Sequence, residues 1–408
     1  MRKNLGSNYN PLYFLASLGS GGLAVSFYMY FMFMVQHPGR PMANFEHVFP
    51  LIGKENMAVS LLIVIAIMAI IFMGYKHVQL LLWNIKEYRA FKQTEAFEKL
   101  KNSNAAVSLM AIPLTLAMTI NVLLIFAGLF IPNLWNVVEY MFPFALLGFS
   151  AVGIYALIIF KGYMTRFLMK EGFDPVKNNS LSQLLAVFAF VMIAVGFAAP
   201  GAMSSTLWVS TIGIVFSIFF ATLAIVLFVA HLILGTAAMF EHGIDKIGSP
   251  SIWMAIPIMT ILGITFVRLF MGVNHNLLQE ANPSPLPLFI VLAVFVSIQL
   301  VFGIIGYAVL KKIGYFEDMI HGEGKNAGTY GLICPGVAFM VLGMFFIHWG
   351  FVQNGIVTKF SPIYFIMLVP YVFVQLKTLS IMFKINKKHF SVSSKVLVAK
   401  GQSILRNE

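Results

Sequence analysis

Cysteine is almost missing from this chain: Cys334 is the only one in 408 residues. That excludes an intrachain disulfide and any multi-cysteine metal or iron–sulfur centre. Acidic residues are also few, 15 Asp and Glu against 27 Lys and Arg. No Walker-type GxxxxGK[ST], HExxH or CxxCH motif occurs, so nothing marks ATP-driven transport, a zincin or covalent haem attachment. Charged residues make up only 10% of the chain, while hydrophobic ones reach 59% and mean hydropathy is +0.86. Such values lie outside the soluble globular range and define an integral membrane protein. The long, nearly charge-free apolar runs suit helices, because barrel strands would read as short alternating segments. The fold class is therefore all-α. The first run follows Arg2 and Lys3 but ends in bulky residues rather than a small-residue cleavage site, so it reads as a retained span.

Ten spans are expected, roughly 11–35, 57–84, 105–131, 137–160, 182–200, 206–235, 251–272, 286–310, 329–353 and 362–384. They form one transmembrane domain, residues 1–384, followed by a basic tail, 385–408. An even number of spans puts both termini on one side. With that side cytoplasmic, inner segments hold 21 of the 27 Lys and Arg, and the outer loops hold only Arg40, Lys54 and Lys359. The net charge of +12 lies in loops between spans, which points to anionic lipid headgroups and not to nucleic acid as its partner. Short outer connections predict five helical hairpins. Between the second and third spans, residues 85–101 carry Ile85, Tyr88, Phe91 and a Glu95–Lys99 pair four apart, the pattern of an interfacial amphipathic helix.

The odd spans share a repeat, a polar cap followed nine residues later by Pro or Gly. Asn104 precedes Pro113 in NAAVSLMAIP, Gly248 precedes Pro257 in GSPSIWMAIP, Asn326 precedes Pro335 in NAGTYGLICP, and Asn10 precedes Gly19 in NPLYFLASLG. Broken membrane helices are tolerated where neighbouring protein or a water-filled path re-satisfies the freed carbonyls, so the recurring break points to a permeation pathway. The fifth span lacks it: the matching position is Phe188.

Only one carboxylate, Glu139, falls within these spans, at the outer end of the fourth, which argues against a carboxylate-coupled carrier. Arg268 in the seventh span and Lys377 in the tenth each admit two readings, an anion attractor or a snorkelling anchor. His77 and His231 stand at similar depth and would be the ligands if the bundle held a haem; no cofactor is expected otherwise. Phe339, one turn past the ninth-span break, is the candidate plug of a hydrophobic constriction. Cys334 is read as a small buried hydrophobe or as a thiol facing a permeating sulfur species.

With its ten spans, cytoplasmic termini, five hairpins and odd-helix breaks, the chain resembles the tellurite-resistance/dicarboxylate transporter superfamily, which includes TehA and the plant slow anion channels. The segment LGSGGLAVSFYMYFMFMVQHPG is also similar to the bacterial TsoY family. The first resemblance implies a homotrimer in which each subunit has an inner ring of odd helices around its own pore and an outer ring of even ones. It implies pore kinks at Gly19, Gly22, Pro113, Pro257 and Pro335, and an occluding aromatic at Phe339. Expected function is that of a passive channel or uniporter for a small anion in the bacterial inner membrane, with no enzymatic activity. A carrier for a sulfur oxyanion or C4-dicarboxylate, and a haem- or quinone-binding redox subunit, are the alternatives.

Overall fold

A computed structural model describes residues 1–169, 171, 174–280 and 283–391. Among these there is no strand, and ten helices are long and apolar enough to cross a membrane. They are α1 (Pro11–Met34), α2 (Met57–Phe91), α3 (Asn104–Phe130), α4 (Val138–Leu168), α5 (Leu184–Met203), α6 (Leu207–His242), α7 (Ser249–Leu277), α8 (Leu286–Lys312), α9 (Ala327–Val352) and α10 (Pro362–Phe390). The chain is a multi-pass membrane protein. Its two described ends meet, the Arg2 N–H donating to the Phe390 carbonyl at 3.2 Å. The side of the molecule that holds them is the proximal face, and the opposite side the distal face.

Several helices outrun their apolar cores. The second reaches Phe91, so Ile85, Tyr88 and Phe91 continue the span, and only Glu95–Lys101 forms a separate short helix. With Glu241 at the end of α6, Glu87 thereby joins Glu139 as a carboxylate on a spanning helix. It is buried and accepts hydrogen bonds from the N–H groups of Asn4 at 3.0 Å and Leu5 at 2.8 Å, tying down the N-terminal segment. The tenth helix ends at Phe390, six residues past the expected boundary, and the rest of the basic tail from residue 392 lies outside the described residues.

The repeated motif has a local structural cause. In α3, α7 and α9 the chain leaves its cap as a 3₁₀ segment, Asn104–Met110, Ser249–Met254 and Ala327–Leu332, before turning α-helical at Ala111, Ala255 and Ile333. Pro113, Pro257 and Pro335 are thus each the third residue of the α-helical part. A 3₁₀ turn bonds i to i+3, as the Ile333 N–H does to the Tyr330 carbonyl, so the N–H that proline lacks at i+4 is not needed. The feature is a change of helix type near the proximal end, not a mid-helix kink. Helix α1 does the same after Asn10, whose side chain accepts from the Leu12 N–H at 2.9 Å, but it runs unbroken through Gly19 from Phe14 to Met34.

Gly19 and Gly22 serve close packing instead. A Cβ on Gly19 would lie 2.7 Å from the Ile333 side chain, and one on Gly22 would lie 3.1 Å from Val337, so both glycines let α1 approach α9. Gly19→Val is expected to lower stability by about 1–3 kcal/mol through overpacking. A melt in detergent with an unchanged midpoint would refute this account of the contact.

Burial separates the helices into two sets. The odd-numbered helices bury from 56% to 100% of their most apolar stretch, the even-numbered ones only 22% to 39%. Exposed Leu61, Ile65 and Met68 on α2, or Phe144, Leu147 and Ile154 on α4, would be an aggregation surface in water and are natural against lipid. Contacts run α1 to α3, α3 to α5, α5 to α7, α7 to α9 and α9 back to α1, and each odd helix also packs on the even helix that follows it. Buried polar bonds stitch the odd set: the Thr115 hydroxyl donates to the Phe14 carbonyl at 3.2 Å, and that of Thr260 to the Ala338 carbonyl at 2.9 Å.

Candidate functional site

A cavity of about 710 Å³ is lined by residues of the odd-numbered helices and of the loops at their distal ends; no described residue of an even-numbered helix lines it. Its deep end is formed by Leu18, Gly19, Phe188, Pro257 and Cys334, and its rim by His37, Arg40, His275, Gln353 and Lys359. Arg40 and His275 are exposed there, so the cavity opens on the distal face. A second, smaller recess of about 260 Å³ opens among the capped starts of the same helices on the proximal face, lined by Asn10, Asn104, Gln183, Gly248 and Asn326.

The two recesses come within one turn of each other. Leu15, Leu185, Met254 and Gly331 border the proximal one, and the residues three further on, Leu18, Phe188, Pro257 and Cys334, border the distal one. Three residues of helix rise by about 4.5–6 Å. A thin septum therefore closes the path at the level where the helices change type. Phe188 supplies an aromatic ring to it from the one odd helix that has neither proline nor glycine at the matching position.

The distal cavity is electrostatically one-sided. Its lining includes Arg40, Arg268, Lys359, His37, His275 and His348, and no Asp or Glu. None of the ion pairs among the described residues involves one of these cations. Arg268 is held from below: its Nη1 donates to the Val195 carbonyl at 2.9 Å across the α5–α7 contact. That fixes the guanidinium inside the cavity with further donors free, and it does not snorkel to the interface. At the rim, burial holds the His37 imidazole below its usual range, against the pull of the Val35 carbonyl, with His47 and Lys359 adding like charge. Burial likewise lowers the Lys359 ammonium. The loop bearing His37 and Arg40 is pinned by the Tyr28 hydroxyl, which donates to the Ala43 carbonyl.

Two of the cavity histidines owe their position to irregular backbone. Helix α7 ends in a π turn, Val273–Leu277, and α9 in another, Phe346–Val352. His275 and His348 lie within them. A π turn inserts a residue into the helix and rotates the side chains beyond it, a device common at functional sites.

Of the residues singled out in the sequence, Gly19, Gly22, Pro257, Arg268 and Cys334 come together in this cavity. The others do not. Phe339 turns toward α10, its ring 4.7 Å from that of Tyr371, and is not among the lining residues. The reason is register: Cys334, Val337, Ala338 and Val341 share the cavity-facing side of α9, and Phe339, one position past Ala338, is turned about 100° away from it. Lys377 is exposed on α10, a lipid-side position. Pro113 and Pro335 are buried between helices.

His77 has both ring nitrogens engaged, Nδ1 with the Ser17 carbonyl at 2.9 Å and Nε2 with Thr119 Oγ1 at 2.9 Å, which leaves none for iron. His231 stands on α6, which packs on α5 and α7, whereas α2 packs on α1 and α3. The two are not brought together as haem ligands. No group of three or more potential metal ligands occurs among the described residues.

Sequence inspection missed Phe188 as a site residue, although the alignment of caps had marked its position. It also missed the methionines, since Met29, Met32, Met118, Met192 and Met271 look like ordinary span residues. Arg40 and Lys359 carried a signal: they are two of the three basic residues in the expected outer loops, and both reach the cavity.

Fold and site together define a ten-helix membrane protein with a cation-lined cavity on one face and a polar recess on the other. A comparison with models of known protein families gives no match, and neither does one with curated proteins.

Proposed function

We propose that this protein is an anion pathway of the channel or uniporter class, related in architecture to the tellurite-resistance/dicarboxylate transporter superfamily. In this reading the ten helices are five hairpins whose odd members form an inner ring around a pore and whose even members form an outer ring, and the proximal face is cytoplasmic, where most Lys and Arg lie. The observation that carries it is the acid-free distal cavity with Arg268 fixed in its wall. A cavity lined by cations of one sign raises the local concentration of anions and repels cations. The septum at Leu18, Phe188, Pro257 and Cys334 is the gate, and the plug is Phe188 instead of Phe339. Assembly as a homotrimer rests on the resemblance alone.

Reconstituted liposomes test the reading. Anion efflux should be electrogenic and should exceed cation efflux in the same vesicles. Selectivity for potassium over any anion would sink it. A carrier mechanism is the second reading, favoured by the distal cavity ending blind at the septum, as one state of an alternating-access cycle would. Saturable counterflow without currents would select it.

A further inference from the structure

We propose that the distal cavity binds an amphiphilic organic monoanion, a carboxylate or sulfonate head on a linear apolar tail, with the head at Arg268 and the tail pointing down to Phe188. This deepens the anion-pathway reading and rests on it for the role of Arg268. The argument is one of size, polarity and order along the shaft.

A volume of about 710 Å³ falls in the range of sites for drug-sized organic molecules, far beyond the need of a chloride or nitrate. The charged groups are confined to the upper part. From Arg268 down to Pro257 the seventh helix descends about 16 Å. Over that depth the walls are apolar, with Met192, Ile261, Ile264, Val337 and Val341 among them.

Polar groups in this lower shaft are few. The Thr260 hydroxyl already donates to the Ala338 carbonyl at 2.9 Å, and Asn121 Nδ2 is 3.5 Å from the Met192 sulfur. Thioethers are weak acceptors and no donors, so these walls hold a bare inorganic anion no better than water does. An alkyl tail gains in the same place, and flexible methionine side chains adapt to tails of different shape. Since no even-numbered helix contributes to the lining, the ligand enters through the cationic distal mouth and not sideways from the bilayer.

Isothermal titration of the protein in zwitterionic-lipid nanodiscs with acetate, butyrate, hexanoate, octanoate, decanoate, dodecanoate and tetradecanoate tests this. Affinity should rise about four-fold per methylene while the tail is being buried. It should then level off once the tail reaches the septum. Arg268→Gln should weaken every member of the series by a similar factor, and Val341→Trp, which fills the shaft, should move the plateau to shorter chains. Acetate, chloride or nitrate binding as tightly as octanoate would overturn the proposal, as would an unbroken rise with no plateau. Loss of octanoate binding in nanodiscs containing phosphatidylglycerol would assign the site to a lipid headgroup and overturn it too. Binding is read without transport, so absent flux with a rising chain-length series would remove the pathway and leave this ligand class standing.

Discussion

Arg268→Gln is expected to cut anion flux by about 10- to 150-fold, the equivalent of about 1.5–3 kcal/mol for a hydrogen bond to a charged group. The side chain stands in the cavity wall, fixed by a 2.9 Å bond to the Val195 carbonyl and without an acidic partner among the described residues. Glutamine keeps an N–H donor but is shorter and brings no charge. Arg268→Lys should fall between the two, because a point charge replaces a fork of donors. Stability should change little, since the group faces a cavity and not a packed core. Initial flux rates in liposomes, with melting in detergent as the control, decide the matter. Wild-type flux in a folded Arg268→Gln protein would remove the anion-attracting role.

Phe188→Ala should act in the opposite direction, raising flux at least about ten-fold, which requires only about 1.4 kcal/mol off the barrier. The ring is buried at the septum and borders the cavity on one side. Its removal joins the two recesses through the thinnest part of the wall and lets water into an apolar constriction. A fully enclosed Phe→Ala change costs about 3–5 kcal/mol, and the open side here puts the expected loss at the low end. Phe339→Ala is the informative control. Its ring packs on Tyr371 away from the cavity, so it should lower stability and leave flux near wild type. A reversed outcome, with Phe339→Ala activating and Phe188→Ala silent, would place the gate on α9.

Much of this architecture was legible in the sequence because lipid imposes simple rules. Ten spans, their order and the absence of strands are set by long apolar runs, since backbone polar groups must be satisfied within each helix. The cap-to-proline spacing also located the level of the septum. What it misstated was the conformation, because a 3₁₀ segment and a proline kink leave the same residues in the same order. Helix lengths were underestimated where polar residues continue a helix past the apolar core, as at Glu87. The facing of Phe339 could not be read, since with inward and outward sides both apolar a span has no hydrophobic stripe to fix its rotation. Arg268 could be found as an intramembrane charge, but its direction depended on the Val195 carbonyl of another helix. The π turns that set His275 and His348 have no sequence signature in this chain.

The thinness of the septum has an electrical consequence. A bilayer normally spreads its potential over about 30 Å of hydrocarbon. Where water enters a cavity from one side and a recess from the other, the same potential falls across a single helical turn near Phe188. An anion then crosses most of the field in that one step, at about 2.3 kcal/mol per 100 mV for each elementary charge. Voltage would act on the barrier itself, while binding at Arg268, outside the steep region, would stay almost indifferent to it.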